Sequence, residues 1–174
     1  MKRILVPTDF SEQAENALKV AAQLAKKNES EIYVLNSLEL PTHLSSSGAN
    51  GAMPESLFFI KLAEKYFEEL LEKPYLEGLL IHEAIIGHGE VYKDVNEVVK
   101  EKNIDLVIMG SQGTNGFMEL FIGSNTEKVV RTSEIPVLVI KNNHEDFKTD
   151  NFVYATDFSE ECKIPFNQAK KFAE

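Results

Sequence analysis

Short apolar blocks recur along the chain, separated by longer stretches in which apolar residues return every three or four positions. The blocks are continuous rather than alternating, which is typical of strands covered on both faces of a parallel sheet. Residues 4–6, 32–35, 106–109 and 137–140 form four such blocks, and residues 80–86 form a weaker fifth. The spacing between the blocks predicts helices with apolar stripes over residues 14–25, 62–71, 91–99 and 126–130.

This alternation of strands and helices predicts an α/β fold, because parallel neighbours need helical crossovers. We expect a Rossmann-like, open five-stranded parallel sheet of order 3-2-1-4-5 with helices on both faces. Ligands of such sheets bind at the carboxyl ends of the strands where the winding reverses, here between the first and fourth strands. A Gly- and Ser-rich stretch at residues 41–54 is either a lid over a ligand or a tolerated surface insertion.

A five-residue sequence, Thr-Asp-Phe-Ser-Glu, occurs at residues 8–12 and again at 156–160. Each copy stands between a short apolar segment and a stretch with helical spacing, which indicates an internal repeat. We therefore predict a complete domain at 1–141, a linker at 142–150, and the first strand and helix of a second, incomplete copy at 151–174.

The charge balance excludes some classes of partner. Lys and Arg number 18 against 28 Asp and Glu, a formal net charge of −10, so we expect binding neither to nucleic acid nor to a membrane. Cys162 is the single cysteine, and the sequence shows neither a signal-peptide pattern nor an apolar run of membrane-spanning length. These features predict a cytoplasmic protein.

The segment after the fourth strand carries the most specific chemical signal. Gly110, Gly113 and Gly123 precede a helix that opens at Ser124. Glycine allows a ligand to approach the backbone closely, and a loop that enters a helix presents N–H donors to an anion such as phosphate. The alternative is that these glycines serve only a tight turn and helix packing.

The first strand ends in polar residues at the same edge of the predicted sheet. Asp9 can accept hydrogen bonds from the hydroxyls or amine of a nucleoside, or it can help to start the following helix. Ser11 is interpreted as the cap of that helix.

The spacing Gly110-x2-Gly113-x9-Gly123-Ser124 resembles the nucleotide-binding signature of the universal stress protein family. Residues 4–11 resemble the first strand and turn of that family, and the likeness extends over residues 1–141. The second Thr-Asp-Phe-Ser turn resembles the start of the second domain in a tandem-repeat member, cut short. The resemblance implies a Rossmann-like fold, cytoplasmic location, homodimers, and binding of ATP with Mg²⁺ held mainly by the phosphates.

Carried over position by position, the resemblance implies contacts with an adenine nucleotide along both central strands. The adenosine would lie against Pro7, Thr8 and Asp9, with a main-chain contact near Ser37. The ribose and phosphates would be lined by Met109, Gly110, Gln112 and Gly113, and the phosphates would be held by Gly123, Ser124, Asn125 and Thr126. At Gln112 and Asn125 the chain departs from the commonest pattern of the family.

We expect a non-catalytic, ATP-binding module of the stress response, with no catalytic or metal-ligating residues. The alternatives are a nucleotide-independent interaction scaffold and a weak ATPase or autokinase, for which the loop offers Glu119 as the candidate base. The apolar edge strand Val137–Ile140 predicts a homodimer, since an unpaired edge invites pairing. We expect Phe158, Phe166 and Phe172 to pack on the partner or to be poorly ordered.

Overall fold

The computed structural model describes residues 1–38, 52–111 and 122–173, and the chain divides into two units, Met1–His144 and Glu145–Glu174. The first unit holds a five-stranded parallel sheet of order β3-β2-β1-β4-β5, so the predicted fold class and strand order are confirmed. Its strands are β1 Arg3–Pro7, β2 Glu31–Ser37, β3 Ile81–Gly87, β4 Leu106–Gly110 and β5 Val137–Ile140. Its helices are α1 Glu12–Asn28, α2 Ala52–Leu71, α3 Val91–Glu101 and α4 Ser124–Thr132, with a 3-10 turn at Pro74–Leu76.

The Gly- and Ser-rich stretch at residues 41–54 falls only partly within the described residues. Residues 39–51 lie outside the described part of the chain, but α2 begins at Ala52, so the assignment of residues 52–54 to a loop was wrong. Pro54 falls in the first helical turn, where the backbone N–H groups have no partner within the helix and proline is tolerated. No helix among the described residues is long and apolar enough to cross a membrane.

The core lies on both faces of the central strands. Leu5, Leu35 and Met109 belong to a buried cluster on the face covered by α3 and α4. Side chains alternate along a strand, so Ile4 and Val6, both fully buried, lie on the opposite face. The central strands β1, β2 and β4 are therefore buried on both faces below the loops at their carboxyl ends.

Polar contacts fix the amino ends of the strands. The Asp105 carboxylate accepts hydrogen bonds from the backbone N–H groups of Lys2 (2.6 Å) and Arg3 (3.0 Å). The Arg3 side chain donates to Glu31 at 3.0 Å and to the Lys102 carbonyl at 2.9 Å. The hydrogen bond from Arg3 is the main cause that holds the pKa of Glu31 below its ordinary value. The hydrogen bonds of Asp105 and Arg3 therefore connect β1, β2 and the segment that leads into β4.

The second unit repeats the turn of the first without its surroundings. Phe10 and Phe158 both have a φ of 61°, a left-handed value that is rare for an aromatic residue. In each copy the Thr hydroxyl accepts the Phe N–H (3.0 and 2.9 Å), and the Asp carboxylate accepts the Ser N–H (3.0 and 2.9 Å). The identical sequence therefore adopts the same local structure twice.

The strand predicted for the start of the second copy is not formed. Residues 151–159 are neither strand nor helix, and a 3-10 turn at Glu160–Cys162 leads into α5, Lys163–Ala173. A strand needs a neighbour to complete its ladder, and the described part of this unit contains none. Phe158 is 91% exposed and Phe166 48% exposed, whereas Phe172 is half-buried.

Candidate functional site

The carboxyl ends of β1, β2 and β4 lie at one edge of the sheet because β1 pairs in parallel with β2 on one side and with β4 on the other. This edge contains the predicted residues Pro7, Thr8, Asp9, Ser37, Met109 and Gly110. The start of α4 joins it, since the N–H of Gly123 donates to the carbonyl of Ser111 at 2.7 Å. Gln112 and Gly113 lie outside the described residues.

The turn after β1 is held by its own side chains. The Thr8 hydroxyl and the Asp9 carboxylate accept the turn hydrogen bonds described above, and Thr8 is buried. The Ser11 hydroxyl accepts the N–H of Ala14 at 3.2 Å, which confirms Ser11 as the cap of α1. The Asp9 carboxylate, by accepting the N–H of Ser11, supports the turn that precedes α1.

Aromatic packing anchors the same turn. The Phe10 ring lies 5.2 Å from the rings of both Tyr66 and Phe67, which belong to α2. Edge-to-face and tilted ring pairs at this distance are favourable, and they offset the cost of the left-handed backbone at Phe10. The position of Asp9 at the sheet edge is thereby tied to α2.

Gly110 is explained by packing. A Cβ atom placed on it would lie 2.8 Å from the carbonyl oxygen of Gln13 and 2.9 Å from its carbonyl carbon. Both are backbone atoms of the first turn of α1, so no side-chain rotation could make room. The helix-packing interpretation of the glycines therefore holds for Gly110.

Met109 and Thr126 are also engaged in the structure. The Met109 side chain is buried in the core cluster, which leaves its main chain for contacts at the edge. The buried Thr126 hydroxyl donates to the carbonyl of Gly110 at 2.9 Å and so ties α4 to the end of β4.

The amino terminus of α4 presents backbone donors. Its N-cap is Gly123, with φ −61° and ψ 150°, and glycine has no side chain with which to cap the helix. Ser124 and Asn125 are exposed, and no side chain among the described residues accepts a hydrogen bond from the first amides of α4. Such amides, at the positive end of the helix dipole, suit an anion.

Charged residues lie where the start of α3 meets α4. The Glu90 carboxylate is 2.7 Å from the Lys93 ammonium and 3.6 Å from that of Lys128. The hydrogen bond from Lys93 is the main cause that lowers the pKa of Glu90. Both ammonium groups lie over the Tyr92 ring, 5.7 and 5.5 Å from its centre. Lys128 is therefore paired with Glu90 in this structure.

The end of β2 contains a residue that sequence reasoning missed. The Asn36 side-chain nitrogen donates to the Thr8 carbonyl at 2.8 Å. Its oxygen Oδ1, like the Ser37 hydroxyl, is buried and has no hydrogen-bond partner within the described ranges. The available signal was a polar residue directly after the apolar block at 32–35. The predicted Ser37 contact involved its main chain, which pairs with Gly87 in the sheet.

The chain resembles known proteins over most of its length. A model of the universal stress protein family matches residues 1–141. Universal stress protein MJ0577 of Methanocaldococcus jannaschii is 34% identical over 159 residues, which cover 82% of this chain and 96% of the relative. The solved structure of MJ0577 superposes with a TM-score of 0.70 at 27% identity and covers 82% of this chain and 97% of that one.

Two solved universal stress proteins share the fold at lower identity. One, in complex with cAMP, has a TM-score of 0.56 and 18% identity and covers 80% of this chain and 95% of that chain. The other, from Archaeoglobus fulgidus in complex with dAMP, has a TM-score of 0.51 and 20% identity and covers 81% and 98%. The family model spans most of the sequence and the MJ0577 alignment is nearly end to end, so the chain belongs to the universal stress protein family.

Proposed function

We propose that this protein binds an adenine nucleotide, with ATP as the leading candidate, and acts as a non-catalytic module of the stress response. The observation that carries the proposal is the start of α4, where a helix with a glycine N-cap meets the carboxyl edge of β1, β2 and β4. The complexes of two structural neighbours with cAMP and dAMP support an adenine nucleotide as the ligand.

In this proposal the phosphates accept hydrogen bonds from the backbone N–H groups of Ser124 and Asn125. The ribose and base extend past β1 towards β2. Gln112 and Gly113 contribute from the segment after β4. The described residues contain no group of three His, Cys, Asp or Glu side chains that could hold a metal ion. We therefore assign Mg²⁺ mainly to the phosphates, as its preference for few protein ligands allows.

A binding role is favoured over phosphoryl transfer. Transfer needs a group that positions a water molecule or accepts a proton beside the terminal phosphate. Asp9 is the acidic residue that follows β1 at this edge, and its carboxylate accepts a hydrogen bond within its own turn. Glu119, the candidate base of the sequence analysis, lies outside the described residues.

The proposal is tested by titration calorimetry with ATP and MgCl₂ on the intact chain and on Gly123→Asp. Gly123 has an extended, negative-φ backbone, so a side chain there is not strained by its φ. An Asp would cap the amides and place a negative charge where phosphate would bind. We expect ATP binding to be lost while the stability of α4 is kept or raised by about 0.3 kcal/mol.

Gly123→Ser serves as the matched control, because it adds a cap without a charge and should weaken binding less. An unaltered Kd in Gly123→Asp, or no saturable binding to the natural chain, would contradict the proposal and favour the nucleotide-independent scaffold. Phosphate release above a buffer blank would instead favour the weak ATPase.

A further inference from the structure

Lys128 is the first basic residue of α4. It stands four residues after Ser124, so it lies on the same face of the helix, about 6 Å further along the axis. Helical side chains lean towards the amino terminus, and the long lysine stem therefore covers the preceding turn. The ammonium group can thus reach the start of the helix, where the proposed phosphates would bind.

The structure shows the Lys128 side chain directed to this edge of the sheet. Its ammonium lies 3.6 Å from the carboxylate of Glu90, which is the N-cap residue of α3. Glu90 follows the last residue of β3, Gly87, by three positions, so it stands beyond the carboxyl end of that strand. The carboxyl ends of all five parallel strands share one edge, and α4 begins at the same edge.

Glu90 holds its two lysines unequally. Lys93 donates a hydrogen bond to Oε1 at 2.7 Å, whereas the Lys128 ammonium is 3.6 Å from Oε2, beyond ordinary hydrogen-bond distance. The Lys128 side chain is 52% exposed, and exposed ion pairs contribute little to stability. Because Lys93 continues to neutralise Glu90 when Lys128 moves, the release of Lys128 costs little.

We propose that Lys128 leaves Glu90 for the terminal phosphates of a bound nucleotide, and that Glu90 thereby limits the preference of the site for a triphosphate over a monophosphate. Phosphate oxygens form strong, charge-assisted hydrogen bonds with an ammonium group. The Glu90 carboxylate competes with them for the same cation and so lowers the affinity for the triphosphate. The inference rests on the proposed function and adds the regulation of that site.

The test compares the Kd values of ATP and AMP, measured by calorimetry with MgCl₂ at physiological ionic strength. Lys128→Met keeps an apolar stem over the Tyr92 ring and removes the charge. It should weaken ATP binding about fivefold, the upper range for an exposed ion pair, and change AMP binding by less than about twofold.

Arg131→Met is the matched control for the loss of charge. Arg131 also belongs to α4, but it lies nearly one turn further from the start of the helix and pairs with Glu127. Salt screens charges that are more than about 8 Å apart, so this variant should alter the Kd of ATP by less than about twofold.

Glu90→Gln keeps an acceptor for Lys93 and releases Lys128, so it should tighten ATP binding about threefold. This gain should disappear in the double variant with Lys128→Met, because the effect of Glu90 acts through that lysine. Lys128→Arg keeps the cation and should keep the preference for ATP. Thermal unfolding verifies that every variant is folded.

Two results would overturn the inference. The first is an equal gain from Glu90→Gln with and without Lys128, since the carboxylate would then act through its own charge alone. The second is a ratio of the ATP and AMP Kd values that Lys128→Met leaves unchanged. A natural chain that binds neither nucleotide refutes the proposed function itself, which is a distinct result.

Discussion

At the scale of single residues, Gly110 lies where β4 and α1 are too close for any side chain. The Cβ of an alanine would be 2.8 Å from the Gln13 carbonyl oxygen, so a backbone segment would have to move. We expect Gly110→Ala to lower the free energy of unfolding by about 1–3 kcal/mol, the usual cost of overpacking. Urea denaturation followed by circular dichroism measures this change.

Gly87→Ala is the control for that experiment. Its Cβ would meet the Asp94 carboxylate, with Oδ2 at 2.2 Å; this carboxylate can rotate away, and only the Asp94 Cβ, at 3.1 Å, would have to shift slightly. The rotation loses the 3.1 Å hydrogen bond that Asp94 accepts from the Gly89 N–H, so we expect a cost of about 1 kcal/mol. A larger loss in Gly87→Ala than in Gly110→Ala would contradict this account.

The sequence pattern located the carboxyl edge of the sheet but could not separate the roles of its residues. Gly110 belongs to a glycine pattern, yet the atoms that exclude its side chain belong to Gln13, far away in the sequence. The unpaired oxygen of Asn36 is equally invisible before folding, because it follows from the contact of the same amide with Thr8. Such roles depend on tertiary neighbours and not on local pattern.

At the scale of secondary-structure elements, α1 and α4 begin in different ways. Ser11 caps α1 with its hydroxyl, whereas exposed Ser124 follows a glycine cap in α4. We expect Ser11→Ala to lower the free energy of unfolding by about 1 kcal/mol, and Ser124→Ala to change it by less than about 0.5 kcal/mol. Thermal unfolding of both variants tests this, and an equal loss in the two would contradict it.

Strands that are buried on both faces were the easiest elements to predict, because continuous apolar runs mark β1, β2 and β4. The edge strand β3 exposes His82, Glu83 and Ala84, so its pattern is weaker. The strand expected after residue 150 failed for another reason. Its sequence resembles β1, but β1 is a strand only because β2 and β4 pair with it on both sides.

At the scale of the whole molecule, the repeated turn separates local from tertiary structure. Phe10 and Phe158 share a backbone conformation, but Phe10 packs on Tyr66 and Phe67 whereas Phe158 is 91% exposed. Local hydrogen bonds therefore suffice for the turn, and the aromatic contacts come from a helix that only the first unit provides among the described residues. The repeat supports our proposal that residues 151–174 derive from a second copy of the domain.

The two edges of the sheet provide a test of the proposed homodimer through Val137–Ile140. The Pro136 and Ile140 carbonyls accept hydrogen bonds from Val107 and Ser111, so they face β4. Backbone groups alternate in direction along a strand, and the N–H of Val139 therefore points away from β4, where it could pair with a second copy.

Val139→Pro removes this outward donor while sparing the hydrogen bonds to β4, and proline is tolerated on edge strands. We expect light scattering with size-exclusion chromatography to give a dimer for the natural chain and a monomer for Val139→Pro.

Ala84→Pro is the matched control on β3. The Gly87 carbonyl accepts a hydrogen bond from the Leu38 N–H and so faces β2, and alternation along the strand therefore directs the Ala84 N–H away from β2. Ala84→Pro should leave the dimer intact, with circular dichroism confirming the fold of both variants. Dissociation by Ala84→Pro alone would place the interface on β3, and a natural chain that is monomeric at micromolar concentration would refute the homodimer.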